Sequence, residues 1–117
     1  MKTLLVIEDN TDSRHMVSVI LQDAGYTVVS ISRYISVLEI HGINPRVVII
    51  DFLLPFGLGD ELCFDIKNHE LTKHIPVILH SSGAALEKIV GNCKADTIIA
   101  RPFDVGHFLA EVERLAA

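Results

Sequence analysis

Five short apolar runs, separated by amphipathic stretches, are the feature that most restricts how this 117-residue chain folds. Each run is rich in β-branched residues, as is typical of parallel strands that are covered on both faces. The runs occupy residues 4–7, 27–31, 47–50, 76–79 and 97–100. Their alternation with five helical stretches predicts an α/β fold, in which one doubly wound, parallel (βα)5 sheet forms a single domain.

Helical periodicity fills the intervals between these runs. The helical stretches are 17–24, 34–41, 59–70, 86–93 and 105–112, and the patterns at 34–41 and 59–70 are the weaker ones. Asp104 precedes the last stretch and is predicted to cap that helix. Gly25 and Gly42 are predicted to end the first two helices, because glycine readily adopts the backbone conformation that terminates a helix.

Composition and charge exclude several classes of protein. With 50% hydrophobic and 21% charged residues, the chain does not resemble a disordered one. The net charge is −5 and no five-residue basic run occurs, so neither nucleic acid nor an anionic membrane is expected as a partner. The apolar runs are too short for a signal peptide or a membrane span. Cys63 and Cys93 lack metal-ligand spacing and are interpreted as core residues of a soluble, cytoplasmic protein.

Polar residues follow four of the five runs, and they are the candidate site. Ligands of open α/β sheets bind beyond the carboxyl ends of the strands. Glu8 and Asp9 follow the first run, Asp51 the third, Ser81 the fourth and Arg101 the fifth. Three carboxylates that meet at one edge repel each other unless a cation intervenes, and Mg²⁺ is the simplest choice for oxygen ligands. The alternative is that these acids only cap the following helices and remain solvated.

The residues after the first run also exclude some chemistries of α/β folds. No glycine-rich loop follows that run, which disfavours a dinucleotide or P-loop phosphate site. An acidic cluster with a bound cation suits receipt of a phosphoryl group, because a carboxylate attacks phosphorus directly while cations neutralise the phosphoryl oxygens. A phosphohydrolase or phosphotransfer enzyme with a small substrate is a weaker alternative, since Leu53 stands where one such class has the second aspartate of an Asp-x-Asp pair.

Four segments, in this order, resemble the receiver domain of two-component response regulators. They are IEDN at 7–10, DFLLP at 51–55 with Gly59, PVILHSS at 76–82 and ADTIIARPF at 95–103. The resemblance covers nearly all of residues 1–117 and implies a flavodoxin-like sheet with strand order 2-1-3-4-5. It also implies bound Mg²⁺ and an aspartyl phosphate that is formed from a histidine kinase or phosphotransfer protein.

Roles follow from this resemblance position by position. Asp51 resembles the phosphoacceptor, and Glu8 and Asp9 resemble the acidic metal pair, which the backbone carbonyl of Leu53 would join. Ser81 resembles the hydroxyl that binds a phosphoryl oxygen. Residues 84–116 correspond to the surface that binds a downstream protein. The chain would therefore be a phosphorylation-controlled interaction module rather than an enzyme, with at most slow autodephosphorylation.

Arg101 is the main departure from the family pattern. It replaces a lysine and precedes Pro102, for which the pattern implies a cis peptide bond. The longer, planar guanidinium either binds the phosphoryl group or pairs with Asp51 and holds one state. The second possibility makes the chain a degenerate receiver that binds proteins independently of phosphorylation. Ile98 also stands where the family has a switch aromatic, so coupling to output is expected to be unusual. No DNA-binding or enzymatic output domain is recognisable before Ala117.

Overall fold

Five parallel strands form one central sheet in this computed structural model, which describes residues 2–54, 57–82, 94–101 and 103–117. The strands are β1 (Thr3–Ile7), β2 (Thr27–Ile31), β3 (Val47–Asp51), β4 (Val77–Ser82) and β5 (Thr97–Arg101). Their order across the sheet is β2-β1-β3-β4-β5, and every neighbouring pair is parallel. The predicted doubly wound, flavodoxin-like sheet with strand order 2-1-3-4-5 is confirmed.

Four helices belong to the part of the chain that the structure describes. They are α1 (Thr11–Asp23), α2 (Val37–Ile43), α3 (Gly59–Asn68) and α4 (Val105–Ala116). The predicted helix at 86–93, including Cys93, lies outside the described residues. A short antiparallel pair, Leu53–Leu54 with Gly57–Leu58, connects β3 to α3. Among the described helices, none is both long and apolar enough to cross a membrane.

Both faces of the sheet are buried at its central strands β1 and β3, as the apolar runs predicted. Val47 and Ile49 of β3 pack in the cluster that includes residues of α1 and α4. Val48 and Ile50, which alternate with them, pack in the cluster that includes residues of α2 and α3. Cys63 of α3 is fully buried in the second cluster, in agreement with its interpretation as a core residue. Alternate residues of each strand therefore face different helical layers.

The helix ends agree only in part with the sequence prediction. Asp104 caps α4 as expected, and Asn10 caps α1 by accepting a 2.9 Å hydrogen bond from a backbone N–H of the first turn. Gly25 has a φ of 98° and follows α1, consistent with its predicted role. The prediction for Gly42 was wrong: this residue lies within α2. Asn44 ends that helix with a φ of 53°, because asparagine also tolerates the left-handed conformation.

Three strands extend beyond their predicted ends at residues 50, 79 and 100. They end at Asp51, Ser82 and Arg101, so the candidate site residues of these strands belong to the sheet instead of following it. The predicted strand ends were too early because polar residues continue the ladder of backbone hydrogen bonds. For example, the N–H of Phe52 donates to the carbonyl of His80 at 3.0 Å.

Candidate functional site at the carboxyl edge of the sheet

The carboxyl ends of four strands bring a set of polar side chains together. Glu8 directly follows β1, Asp51 ends β3, His80 lies in β4 and Arg101 ends β5. Asp51 and His80 are register partners across β3 and β4. Asp51 follows the alternation of Ile49 in β3 and His80 that of Ile78 in β4, so both belong to the sheet face that packs against α1 and α4. Parallel pairing therefore brings residues that are far apart in sequence to one place.

Arg101 binds two carboxylates at this edge. Its Nη2 donates to Oδ1 of Asp51 at 3.1 Å, and its Nη1 donates to Oε1 of Glu8 at 3.4 Å. The side chains of Glu8 and Asp51 are 0% and 7% exposed, whereas that of Arg101 is 29% exposed. Buried carboxylates require a cation or a proton, and the guanidinium supplies the positive charge here. Arg101 therefore contacts Asp51, a pairing that the sequence left open beside the binding of a phosphoryl group.

Glu8 combines complete burial with a second carboxylate as its neighbour. Burial raises its pKa from 4.5 to about 7, and both a hydrogen bond with Asp51 and the negative charge of Asp51 act in the same direction. The backbone N–H of Asn10, which donates to Oε2 at 3.4 Å, and the charge of Arg101 oppose this rise. Below about pH 7, Glu8 is therefore protonated and shares a hydrogen bond with Asp51.

His80 directly precedes Ser81 in the sequence, which predicts a partly buried spacer at the border of the site rather than a ligand. It is 1% exposed, and among the described residues neither ring nitrogen has a hydrogen-bond partner. Burial lowers the pKa of His80 to about 4; the charge of Asp51 opposes this shift and that of Arg101 adds to it. One ligand atom each from Glu8, Asp51 and His80 lies within 4.8 Å of the others. The sequence signal was the position of His80 directly after the fourth run, just as Asp51 directly follows the third.

The other predicted site residues are placed differently. Asp9 is exposed and does not belong to the cluster of potential ligand atoms found among the described residues. Ser81 is 1% exposed, and its hydroxyl has no hydrogen-bond partner in the described part of the chain. Ser81 alternates with His80 along β4, so the strand pleat directs the two side chains to opposite faces. Leu53 begins the short strand after β3. Pro102 lies outside the described residues.

Gly59 lies against the backbone that carries Asp51. Its N–H donates to the carbonyl of Phe52 at 2.6 Å. A Cβ atom at this position would collide with the carbonyl oxygen of Asp51 and lie 3.0 Å from both the carbonyl carbon of Asp51 and Cγ2 of Ile50. Only glycine therefore permits the N-terminus of α3 to approach this backbone so closely. The close approach fixes the position of Asp51 at the end of β3.

This arrangement has two chemical capacities. Asp51 offers a carboxylate nucleophile whose negative charge is balanced by Arg101 at 3.1 Å. The oxygens of Glu8 and Asp51 are also the ligands that a hard divalent cation prefers. A buried carboxylate beside a guanidinium and a potential cation site suits chemistry on an anionic group, because the positive charges balance those of its oxygens.

Comparisons with known proteins agree with this geometry. The sequence matches the family model "Response regulator receiver domain" over residues 4–113. It is 31% identical over 118 residues to the phosphate regulon transcriptional regulatory protein PhoB of Pseudomonas aeruginosa, covering 96% of this chain and 50% of that protein. It is 32% identical to the DNA-binding dual master transcriptional regulator RpaA of Synechocystis sp., covering 98% and 49%. The chain thus spans about half the length of these relatives.

A solved structure shows the same fold. The response regulator protein TrrA from Thermotoga maritima, which was crystallised in complex with Mg²⁺-BeF, superposes with a TM-score of 0.86. The sequence identity is 23%, and the match covers 98% of this chain and 99% of TrrA. The family match along most of the chain, the strand order and the acidic edge of the sheet agree: the chain belongs to the response regulator receiver domain family of two-component signalling.

Proposed function

We propose that this chain accepts a phosphoryl group on Asp51 from a histidine kinase or phosphotransfer protein and thereby switches a protein-binding surface. The observation that carries the proposal is the position of Asp51. Its carboxylate is nearly buried at the end of β3, is bound by Arg101 at 3.1 Å and lies beside the carboxyl of Glu8. The membership of the chain in the receiver family supports the same conclusion.

Mg²⁺ is the proposed cofactor, and the residues present fit it. Glu8 and Asp51 offer carboxylate oxygens within 4.8 Å of each other, and hard divalent cations prefer such oxygens. Asp9 and the backbone carbonyl of Leu53 are the further proposed ligands. When bound, Mg²⁺ supplies positive charge that stabilises the phosphoryl oxygens during transfer.

The transfer step assigns distinct roles to the protein groups. An oxygen of Asp51 attacks phosphorus, an O–P bond forms, and the N–P bond of a donor phosphohistidine breaks as the donor imidazole retains the electron pair and takes up a proton. Arg101 stabilises the charge on the phosphoryl oxygens, since a guanidinium carries five N–H donors and its contacts with Glu8 and Asp51 use two. Ser81, whose hydroxyl has no partner among the described residues, is proposed to donate to the new phosphoryl group from the opposite face of the sheet edge.

The proposed output is a change at the surface formed by residues 84–116. A phosphoryl group adds ~1.5–2 negative charges, which alters the partners of Arg101 and Ser81. Arg101 ends β5, and α4 begins at Val105, so a change at Arg101 lies close in the sequence to both elements of this surface. A downstream protein is the proposed partner, while hydrolysis of the aspartyl phosphate is proposed to be slow.

Incubation with a small acyl phosphate and Mg²⁺, followed by intact-mass spectrometry, tests the acceptor. The native chain should gain the mass of one phosphoryl group, whereas Asp51→Asn should gain none. Asp65→Asn is the matched control, because it removes an exposed carboxylate from α3 and should leave the gain unchanged. The same gain in Asp51→Asn, or no gain in the native chain, would contradict the proposal.

A second candidate function is a phosphorylation-independent protein-binding module. It is favoured by the contacts of Arg101 with Asp51 and Glu8, because a guanidinium already neutralises the acids that a phosphoryl group and metal would engage. Amide chemical shifts before and after addition of beryllofluoride separate the two functions. Shifts that extend beyond the site into α4 support the phosphorylation switch, and shifts confined to the residues around Asp51 support the second function.

A further inference from the structure

His80 is a buried polar side chain for which the receiver function described above has no use. Its imidazole is 1% exposed, and no described residue forms a hydrogen bond with either ring nitrogen. Buried polar groups of native proteins nearly always have a partner, so an unpartnered imidazole requires an explanation. A metal ion is one such partner, since a neutral imidazole has a nitrogen lone pair available for coordination.

The nitrogen of His80 converges with two carboxylates. The ligand atoms of His80, Glu8 and Asp51 all lie within 4.8 Å of one another, and each residue comes from a different part of the sheet edge. All three side chains are buried, so the donors are held by the sheet rather than by mobile loops. A cation that entered between them would meet one nitrogen and two oxygen ligands in a preformed arrangement.

We propose that this pocket binds a first-row transition dication of the Zn²⁺ type through Glu8, Asp51 and the imidazole of His80. Nitrogen ligands favour Zn²⁺ over Mg²⁺, which prefers oxygen and keeps several waters. Three protein ligands and one open position form a frequent zinc arrangement. The inference concerns the same pocket as the proposed function, but the binding of the metal does not require phosphorylation of Asp51.

Arg101 determines how the metal enters. Its guanidinium contacts the same two carboxylates, at 3.1 Å and 3.4 Å, and two cations cannot share those oxygens without repulsion. The side chain of Arg101 is 29% exposed, so it is able to turn toward solvent when a dication binds. The guanidinium and the metal therefore compete, and Arg101→Met should bind Zn²⁺ more tightly than the native chain.

Competition titrations with Zn²⁺ and Mg²⁺ alone, without phosphodonor, test the role of His80. His80→Val should weaken Zn²⁺ binding by about tenfold or more and change Mg²⁺ binding by less than about threefold, because it removes a nitrogen ligand and no oxygen. His107→Ala is the matched control, since His107 is an exposed histidine of α4 and measures adventitious binding to surface imidazoles. Urea unfolding of each variant verifies that the fold is retained.

Co²⁺ supplies an independent spectroscopic readout. Its visible absorption should indicate a nitrogen ligand in the native chain, and this signature should disappear in His80→Val but persist in His107→Ala. Equal Zn²⁺ affinities for the native chain and His80→Val, or an unchanged Co²⁺ spectrum, would overturn the inference. Loss of phosphorylation with retained Zn²⁺ binding would instead refute the proposed function alone, so the two failures are distinguishable.

Discussion

Replacement of Arg101 by methionine tests whether the buried contacts at the sheet edge stabilise the fold. Methionine keeps an unbranched apolar side chain and removes the charge that Asp51 and Glu8 contact. Loss of one partner from a buried ion pair costs about 3–5 kcal/mol, and the 29% exposure of Arg101 places this case near the lower limit. In metal-free protein at pH 6, we therefore expect the free energy of unfolding to fall by about 3 kcal/mol.

The loss of unfolding free energy in Arg101→Met should grow with pH because of Glu8. Because its pKa is raised, the carboxyl of Glu8 binds a proton more tightly in the folded chain than in the unfolded chain. The stability that results is fully present below pH 4.5 and is lost as pH rises through about 7. Without the charge of Arg101, the pKa of Glu8 rises further. Above pH 7 the native Glu8 is ionised while that of Arg101→Met stays protonated, which adds about 1.4 kcal/mol of destabilisation per pH unit.

Arg33→Met is the matched control. Arg33 and Glu39 form an ion pair with the same Nη2–carboxylate distance of 3.1 Å, but their side chains are 62% and 47% exposed. Exposed pairs contribute little, so the control should remain close to native stability at both pH values. Urea unfolding followed by far-UV circular dichroism, at pH 6 and pH 8 with a chelator, measures the differences. A loss for Arg101→Met no larger than that for Arg33→Met, or one that does not grow with pH, would refute the reasoning.

Four further substitutions give expected outcomes in the same unfolding assay. Gly59→Ala should lower the free energy of unfolding by about 1–3 kcal/mol or more, because the new Cβ meets the backbone of Asp51. Gly42→Ala in α2 should raise it by about 0.5–1 kcal/mol, because a Cβ there meets nothing within 4 Å. Similar effects at the two positions would contradict this prediction. Asn10→Ala should cost about 1 kcal/mol through loss of the α1 cap, and an unchanged unfolding midpoint would count against the capping role. His80→Val in metal-free protein should stay within about 1 kcal/mol of native stability at pH 7. The stability of His80→Val should increase relative to that of the native chain as pH falls from 6.5 toward 4, because burial lowers the pKa of the native imidazole and the unfolded chain takes up the proton first. A constant difference in stability over that range would contradict the burial of His80.

The fold followed from the sequence because a parallel sheet that is buried on both faces leaves a strong apolar signal. Val47 to Ile50 is fully buried, as is typical of a β-branched strand that is covered on both faces. The strand ends were less predictable, since Asp51 and Arg101 are polar but still continue the ladder. Gly42 was predicted to end α2 because of its residue type alone. The helix ends instead at Asn44, which adopts the left-handed backbone conformation.

The site was predictable as a list of residues but not as a set of contacts. The strand-end rule identified Glu8, Asp51 and Arg101, yet which carboxylate the arginine binds depends on side-chain placement across three strands. The sequence assigned His80 no role as a metal ligand, because it forms no pair with another histidine at helical spacing. Its ligand neighbours come from other strands, and only the register between β3 and β4 sets it beside Asp51.

The most direct measurement locates the phosphoryl group. The chain is treated with a small acyl phosphate and Mg²⁺ and then with a hydride reagent, which reduces an aspartyl phosphate to homoserine, and peptides are sequenced by tandem mass spectrometry. We expect homoserine at position 51 and no modification at Glu8 or Asp9. Modification at another acid, or none under conditions in which the chain is folded, would contradict the role of Asp51 as the acceptor.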